Sequence, residues 1–354
     1  MSVKYSPVIW NRNKIVYDLV MLSAILVYIW VFTGLAPLVS ANQAATDGAI
    51  VSMRAFGSCA FLMLTFVLSI GPLARLDRRW LPVLYNRRHF GVMTAAVAGA
   101  HLSFVLDYYA SLSATPPIVA VLTSNTSFGQ VLGFPFEIFG LLALAILVVL
   151  AVTSHDFWLN FLSPPVWKAI HMLIYVAFVS VALHVSLGPI QATSHPLLAI
   201  VALSAVSLVG ALHHLAARRD AAFERNSPCR EDAATGWVEV GDPSAIPEKR
   251  AKTVVLADGS RVAVFRYDGK LSAVTNVCVH QNGPLGEGRI LGGKVTCPWH
   301  GFQYRADNGC APAPYTEKIS TYRLKFIAGR LFVDPKPNAP GTLVAPLRFP
   351  GEVS

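Results

Sequence analysis

The chain has 354 residues, more than one typical domain, and 54% of them are hydrophobic whereas only 14% are charged. This balance, with a mean hydropathy of +0.50, excludes an ordinary soluble protein and indicates a membrane protein. The formal net charge of +9 does not require a nucleic-acid partner, because we expect it to arise from basic loops beside the bilayer and from a basic soluble part.

Six apolar runs follow a short N-terminal tail at 1–14, and each is long enough to cross a bilayer, which takes about 20 mostly apolar residues. We therefore predict an all-α membrane bundle of six helices within 15–218. A further apolar stretch at 116–123 is too short to span and is expected to be interfacial or re-entrant. The six predicted spans are 15–38, 50–73, 89–109, 134–154, 167–188 and 195–216.

Lysine and arginine are concentrated in alternate loops of this bundle. The segment between the second and third predicted spans carries five arginines, whereas 39–48, 110–133 and 189–194 contain no lysine or arginine. Because basic loops stay on the cytoplasmic side, we predict an inner (plasma) membrane protein with both termini and the soluble C-terminal part in the cytoplasm.

Histidines inside the predicted spans are candidate ligands, because ionisable side chains are costly within a bilayer. His171 and His184 lie on the fifth span, separated by about 20 Å of helix. His101 on the third span matches His184 in depth, so this pair could hold a b-type haem near the outer face. His89 matches His171 and could hold a second haem near the cytoplasm. The alternatives are hydrogen bonding between helices and, for His89, an interfacial role.

After the spans, residues 219–236 form a polar, alanine-rich linker, and short alternating segments follow at 237–345. The pairs Asp258-Gly259 and Asp268-Gly269 each lie between β-rich runs. Both predict hairpin turns, because Asp and Gly tolerate the positive φ that tight hairpins require. The sequence therefore predicts a small soluble all-β domain.

Within that domain, a Cys-x-His pair is followed after sixteen residues by Cys-x-x-His. The four residues are Cys278, His280, Cys297 and His300. Two thiolates and two imidazoles suit a [2Fe–2S] centre in which one iron has sulfur ligands and the other has nitrogen ligands. A structural zinc site is the alternative, although zinc sites usually pair Cys-x-x-Cys or His-x-x-x-His.

These motifs resemble the Rieske ferredoxin domain, which residues 237–340 match down to CPWHGFQY and the proline-rich turn APAPY. The resemblance implies that Cys278 and Cys297 bind one iron and that His280 and His300 bind the other.

High-potential members of that family add a disulfide between two loop cysteines. The corresponding positions here are Gly283 and Trp299, and Phe302 occupies a position where those members have serine. Because hydrogen bonds to the sulfurs and solvent exposure tune the reduction potential, we predict a low-potential cluster of the ferredoxin kind.

The membrane half resembles the ferric-reductase-like transmembrane domain over about residues 50–216, in GPLARLDRRWLPVLYNRRHFGV, TSHDFW and WKAIHMLIY. That superfamily includes the haem subunit of the methionine sulfoxide reductase system and, more distantly, the NADPH oxidases. The resemblance implies b-type haem, with His101, His171 and His184 matching the family's histidines. The oxidases have two widely spaced histidines on the third helix, and here the second would be His89.

Together these parts predict a membrane-bound electron-transfer protein. A cytoplasmic flavin-dependent reductase or another donor would reduce the cluster, and haem would carry the electron toward a quinone or a periplasmic acceptor. The sequence has no GxGxxG fingerprint, so nucleotide binding is expected in a separate protein. One alternative is a Rieske oxygenase, which needs a mononuclear iron site for which we identify no soluble domain. The other is a haem-free anchor whose Rieske domain serves a soluble oxygenase or reductase.

Overall fold

The computed structural model divides the chain into two compact units, one ending at Ala216 and the other continuing from Ala217. The first unit is helical, and the second is mainly β-structure. The described residues are 12–39, 48–112, 114–155, 158, 161–162, 164–190, 196–226, 236–280, 283–298, 301–313 and 315–349.

Eight α-helices are found in the described part of the chain, and five of them are long and apolar enough to cross a membrane. The prediction of a helical membrane domain is confirmed. The fourth predicted span, 134–154, is a helix of 17 residues, or about 26 Å, slightly shorter than a bilayer core of about 30 Å. The helices are α1 (Arg12–Val39), α2 (Gly48–Leu76), α3 (Leu81–Tyr85), α4 (Arg87–Leu112), α5 (Pro117–Thr123), α6 (Glu137–Thr153), α7 (Pro164–Leu187) and α8 (Leu197–Asn226).

The bundle packs around apolar side chains of α2, α6, α7 and α8, such as Leu64, Leu147 and Phe178. Many of its outer positions are apolar as well, including Trp30 and Leu203, which are 75% and 70% exposed. Apolar side chains directed both inward and outward are typical of helices surrounded by lipid. The structure therefore supports a multi-pass membrane protein.

The β unit contains eleven short strands within its described residues. A three-stranded sheet has the order β1-β10-β9, and another has the order β5-β6-β7. The central sheet has the order β11-β4-β3-β2, with β8 also paired to β4. The strands are β1 (Val238–Gly241), β2 (Ala251–Val255), β3 (Arg261–Tyr267), β4 (Lys270–Thr275), β5 (Arg289–Leu291), β6 (Lys294–Thr296), β7 (Gln303–Arg305), β8 (Thr321–Tyr322), β9 (Leu324–Ile327), β10 (Arg330–Val333) and β11 (Leu347–Arg348).

Both predicted hairpin turns are confirmed. Strands β2 and β3 pair antiparallel around Asp258-Gly259, and β3 and β4 pair antiparallel around Asp268-Gly269. Asp268 and Gly269 have φ values of 45° and 66°, which is the left-handed backbone that a two-residue hairpin requires. The turns join β2, β3 and β4 of the central sheet, and the first loop of the metal motif follows β4 along the chain.

Helix α8 runs through Asn226, so the first part of the predicted linker 219–236 is helical. The remainder of that linker up to residue 235 lies outside the described residues.

Candidate cofactor sites

The metal motif lies on two loops that are closed by backbone hydrogen bonds. In the first loop the Cys278 N–H donates to the Gly283 carbonyl at 2.9 Å. In the second, between β6 and β7, the Cys297 N–H donates to the Phe302 carbonyl at 2.8 Å, and the Gly301 N–H donates to the Cys297 carbonyl at 3.0 Å. The hairpin register of β6 and β7 therefore fixes where Cys297 begins its loop.

The two cysteines come together in one apolar cluster that also contains Leu285 and Tyr304. Cys278 is 0% exposed and Cys297 is 1% exposed. Both sulfurs are therefore screened from solvent, and cysteine thiolates are the protein's sulfur ligands in iron–sulfur clusters.

His280 completes the described part of this site. Its Nδ1 atom is buried, and its ring stacks on Phe302 with centroids 4.9 Å apart and an interplanar angle of 9°. The fourth predicted ligand, His300, lies outside the described residues, as does Trp299. By residue type, the three described candidate ligands, two thiols and one imidazole, match the sulfur-plus-nitrogen donor set of a Rieske-type cluster.

Tyr304 was not identified from the sequence, although it lies directly beside the motif. Its hydroxyl is 3.4 Å from the Cys278 sulfur, a distance at which it can donate a hydrogen bond to a thiolate. Burial raises the pKa of Tyr304, and the nearby Cys278 and Cys297 sulfurs raise it further. The hydroxyl therefore stays protonated at neutral pH. The low-potential prediction rested on the missing disulfide and on phenylalanine in place of serine at Phe302. Tyr304 supplies one hydroxyl donor that this reasoning did not count, and the low potential stays a prediction.

In the membrane unit, the rings of His101 on α4 and His184 on α7 are neighbours, with centroids 6.4 Å apart and an interplanar angle of 78°. An iron ion held between the two rings by metal–nitrogen bonds of about 2 Å would separate their centroids by about 6 Å. The observed spacing therefore suits two residues that would together hold the iron of one haem.

Backbone carbonyls fix the tautomer of both rings. His101 Nδ1 lies 2.9 Å from the Met53 oxygen, and His184 Nδ1 lies 3.1 Å from the Phe136 oxygen. A carbonyl oxygen only accepts, so each Nδ1 carries the proton and each Nε2 keeps the lone pair that binds a metal. Such hydrogen bonds orient the histidine ligands of metals in proteins.

Two glycines make room for these rings. A Cβ atom added at Gly57 on α2 would lie 2.9 Å from His101 Cε1, and one added at Gly140 on α6 would lie 2.8 Å from His184 Nδ1. Side chains essentially never approach so closely, so any larger residue would displace an imidazole. Glycine at both positions is the third feature, after the ring spacing and the tautomers, that fits a haem held by His101 and His184.

The other predicted pair has different contacts. His171 Nδ1 is 3.0 Å from the Trp167 carbonyl oxygen, as in the first pair, but its Nε2 is 3.3 Å from the Ser154 hydroxyl. His89 Nδ1 lies 2.9 Å from an Asp18 carboxylate oxygen. These contacts are of the hydrogen-bonding and interfacial kinds that were the alternatives to ligation, and a second haem on His89 and His171 stays a prediction.

Two families match the chain, one in each unit. Residues 54–182 match the ferric reductase like transmembrane component, and residues 236–323 match the Rieske [2Fe-2S] domain. These assignments confirm both predicted resemblances. The first match includes His101 and ends two residues before His184, and the second includes all four predicted cluster ligands.

The individual relatives match the Rieske part. Over 118 residues the chain is 30% identical to the oxygenase component of a probable 3-ketosteroid-9-alpha-monooxygenase from Rhodococcus rhodochrous, across 31% of this chain and 30% of that protein. It is 28% identical to the ferredoxin component of a naphthalene 1,2-dioxygenase system from Pseudomonas aeruginosa, across 28% of this chain and 94% of that protein. A solved structure of a Sphingomonas yanoikuyae B1 ferredoxin matches at 25% identity with a TM-score of 0.27, across 28% of this chain and 99% of that one.

The chain thus spans less than a third of the steroid monooxygenase component but nearly the whole of the naphthalene dioxygenase ferredoxin. Its Rieske domain supports a [2Fe–2S] cluster, and a Rieske domain joined to a membrane domain of the ferric reductase type indicates electron transfer at a membrane, with other redox proteins as partners. The chain is therefore a multi-pass membrane protein that carries a ferric-reductase-like transmembrane domain and a Rieske [2Fe–2S] domain.

Proposed function

We propose that the chain passes electrons between a cytoplasmic donor, a Rieske cluster and a b-type haem, and from there to a quinone or to an acceptor at the outer face. The cluster is held by Cys278, His280, Cys297 and His300. Both cofactors supply one-electron chemistry, so a single electron can pass along the route without a bond being made or broken. The donor is a flavin-dependent reductase or a comparable protein.

The observation that carries this proposal is the pair of imidazoles formed by His101 and His184. Their spacing, their carbonyl-fixed tautomers and the two glycines beside them are three separate features that suit one haem. No apolar anchor requires such an arrangement, since each buried polar ring in a bilayer carries a cost. His101 and His184 would hold the iron, while Met53 and Phe136 would hold the ligand rings.

The proposed orientation follows from the basic loops. The stretch 74–88, from the last turn of α2 to the first residues of α4, carries five arginines, and the loop before α6 carries no lysine or arginine. The positive-inside rule then places the Rieske domain in the cytoplasm and the His101 and His184 layer toward the outer face of the inner membrane. The electron would therefore move outward.

The experiment is a reduced-minus-oxidised optical spectrum of the full-length protein purified in detergent from haem-replete cells. We expect a b-type haem signal that the substitutions His101→Ala and His184→Ala each remove. The electron paramagnetic resonance signal of the reduced cluster should persist in both variants. His214→Ala changes an exposed histidine on α8 and serves as the matched control that keeps the haem.

The same preparations test the remaining ligands. Replacing Cys278, His280, Cys297 or His300 should abolish the cluster signal and leave the haem spectrum, and a zinc content of one per chain in place of iron would refute the cluster. One haem per chain is expected, and a content of two that falls to one in His171→Ala would establish the second site. A wild-type protein without haem would refute the electron route through the bundle.

A second candidate function is favoured by the match across 94% of a dioxygenase ferredoxin component. In this function the bundle is an anchor without haem, and the Rieske domain delivers electrons to a soluble oxygenase or reductase. The haem spectrum distinguishes the two, because only the first function requires it.

A further inference from the structure

Glu137 is a buried carboxylate at the end of the bundle that carries His101 and His184. It is the first residue of α6 and is 7% exposed. An acidic side chain at membrane depth is costly and needs partners to stay there. The other buried polar side chains in the described part of this unit are serines and threonines, such as Ser69 and Thr94, so a buried carboxyl group there requires a physical explanation.

The hydrogen bonds that the structure gives Glu137 come from neutral donors. Asn125 Nδ2 donates to Oε1 at 2.5 Å. The Ser124 hydroxyl lies 3.0 Å from the same oxygen and 2.8 Å from the Val121 carbonyl oxygen, so its one proton is shared between these acceptors. The segment 110–133, which contains both donors, has no lysine or arginine. Both partners are uncharged, so these hydrogen bonds satisfy the carboxyl oxygen without forming an ion pair.

Glu137 is also joined directly to the group that orients a candidate haem ligand. The preceding residue, Phe136, accepts the His184 Nδ1–H through its carbonyl oxygen. The Phe136 ring lies 5.2 Å from the His184 ring. The carboxylate that fastens the start of α6 to Ser124 and Asn125 therefore also fixes the peptide that holds His184.

We propose that Glu137, through a negative charge held beside the Phe136–His184 contact, sets the reduction potential of the haem that His101 and His184 would hold. This inference rests on the proposed function. Reduction of a haem iron adds one unit of negative charge, which a nearby carboxylate opposes, and the opposition is strong where the dielectric constant is low. Glu137 thus stabilises the oxidised haem and lowers its potential.

A purely structural role is the competing explanation. An acidic residue in the first turn of a helix interacts favourably with the helix dipole, and its hydrogen bonds tie α6 to the segment after α5. Such a role affects the stability of the protein but does not depend on the oxidation state of the haem. The midpoint potential therefore separates the two explanations.

The experiment is a spectroscopic redox titration of the haem in the full-length protein. Glu137→Gln keeps a hydrogen-bond acceptor but removes the charge, and we expect a higher midpoint potential with an unchanged haem spectrum. Glu137→Asp keeps the charge and should restore a potential close to that of the wild type. The control is Asp107→Asn, which removes an exposed carboxylate six residues beyond His101 on α4 and should shift the potential less, because water screens it.

A Glu137→Gln potential that equals the wild-type value, or that shifts no more than in Asp107→Asn, would overturn the inference and leave the proposed function intact. A wild-type protein without haem would overturn both. If Glu137→Gln does not fold, Ser124→Ala tests the same effect. Loss of one neutral donor changes either the compensation or the protonation of the carboxyl group, so the potential should shift, and an unchanged potential would refute the role of Glu137.

Discussion

Replacing Tyr304 with phenylalanine removes one hydroxyl group beside the cluster site and keeps the buried ring. We expect the reduction potential of the cluster to fall in Tyr304→Phe. The hydroxyl lies 3.4 Å from the Cys278 sulfur, and its raised pKa keeps it protonated as a donor. Reduction adds negative charge to the cluster, so the hydrogen bond is stronger in the reduced form and stabilises it.

The size of the shift follows from the differential strength of one hydrogen bond. Hydrogen bonds to charged groups contribute about 1.5 to 3 kcal/mol, and neutral ones about 1 kcal/mol. A difference of about 1 kcal/mol between the oxidised and reduced forms corresponds to a decrease of about 40 mV in a one-electron couple. Because sulfur is a weak hydrogen-bond acceptor and the Tyr304 oxygen lies 3.4 Å from it, we expect the reduction potential to decrease by no more than this modest value.

The assay is a redox titration of the full-length protein in which electron paramagnetic resonance reports the reduced cluster. Tyr322→Phe is the matched control, because Tyr322 is also buried but packs in a different apolar cluster of the same domain. A potential in Tyr304→Phe that equals that of Tyr322→Phe, or that lies above the wild-type value, would refute the hydrogen bond as a determinant of the potential.

Two further predictions concern the bundle and the β unit. Gly57→Ala and Gly140→Ala should each lower the haem content measured per chain, because the added Cβ would lie within 2.9 Å of an imidazole atom. The control is Gly99→Ala on α4, whose added Cβ meets nothing within 4 Å and which should keep full haem content. Hydrogen bonds from Ser260 lower the pKa of Asp258, so the charged form is favoured in the folded state. Asp258→Asn should therefore reduce the thermal unfolding midpoint at pH values above the unfolded-state pKa of about 4. The difference from the wild type should vanish as the pH falls through the lower folded-state pKa, and a difference that persists at acid pH would contradict this linkage.

The features that could be predicted from the sequence are those set by neighbouring residues along the chain. The spacing of Cys278, His280 and Cys297 predicts two short loops because each loop is closed by its own backbone hydrogen bonds. The Asp268-Gly269 turn was predictable because the required φ values restrict the residue type. Long apolar runs predict spans for a similarly local reason, since the length needed to cross a bilayer is read directly along the chain.

The features that could not be predicted depend on residues that are far apart in the chain. Tyr304 meets Cys278 across 26 positions, and Gly57 meets the ring of His101 on another helix. Helix α6 begins at Glu137, three residues after the start of the predicted span 134–154. The residue type alone gives no sign of any of these contacts, because a tyrosine or a glycine suits many positions in either domain. Only the packing of the elements reveals which side chain faces a candidate ligand.

Four histidines of the membrane unit share one hydrogen bond, from Nδ1 to a backbone carbonyl, but differ in what lies beside Nε2. His101, His184, His171 and His213 all have Nδ1 within hydrogen-bond distance of a backbone carbonyl oxygen. That contact fixes the tautomer, so it makes every one of these rings a suitable ligand in principle.

The opposite side of the ring distinguishes them. The Nε2 atom of His171 meets the hydroxyl of Ser154, and that of His213 meets a tyrosine hydroxyl, whereas His101 and His184 have each other's rings as neighbours. A haem at His171 would have to replace the hydroxyl contact, while one between His101 and His184 replaces no hydrogen bond that the structure shows. Among these four histidines, His101 and His184 are therefore the pair at which a haem would displace no hydrogen bond that the structure shows.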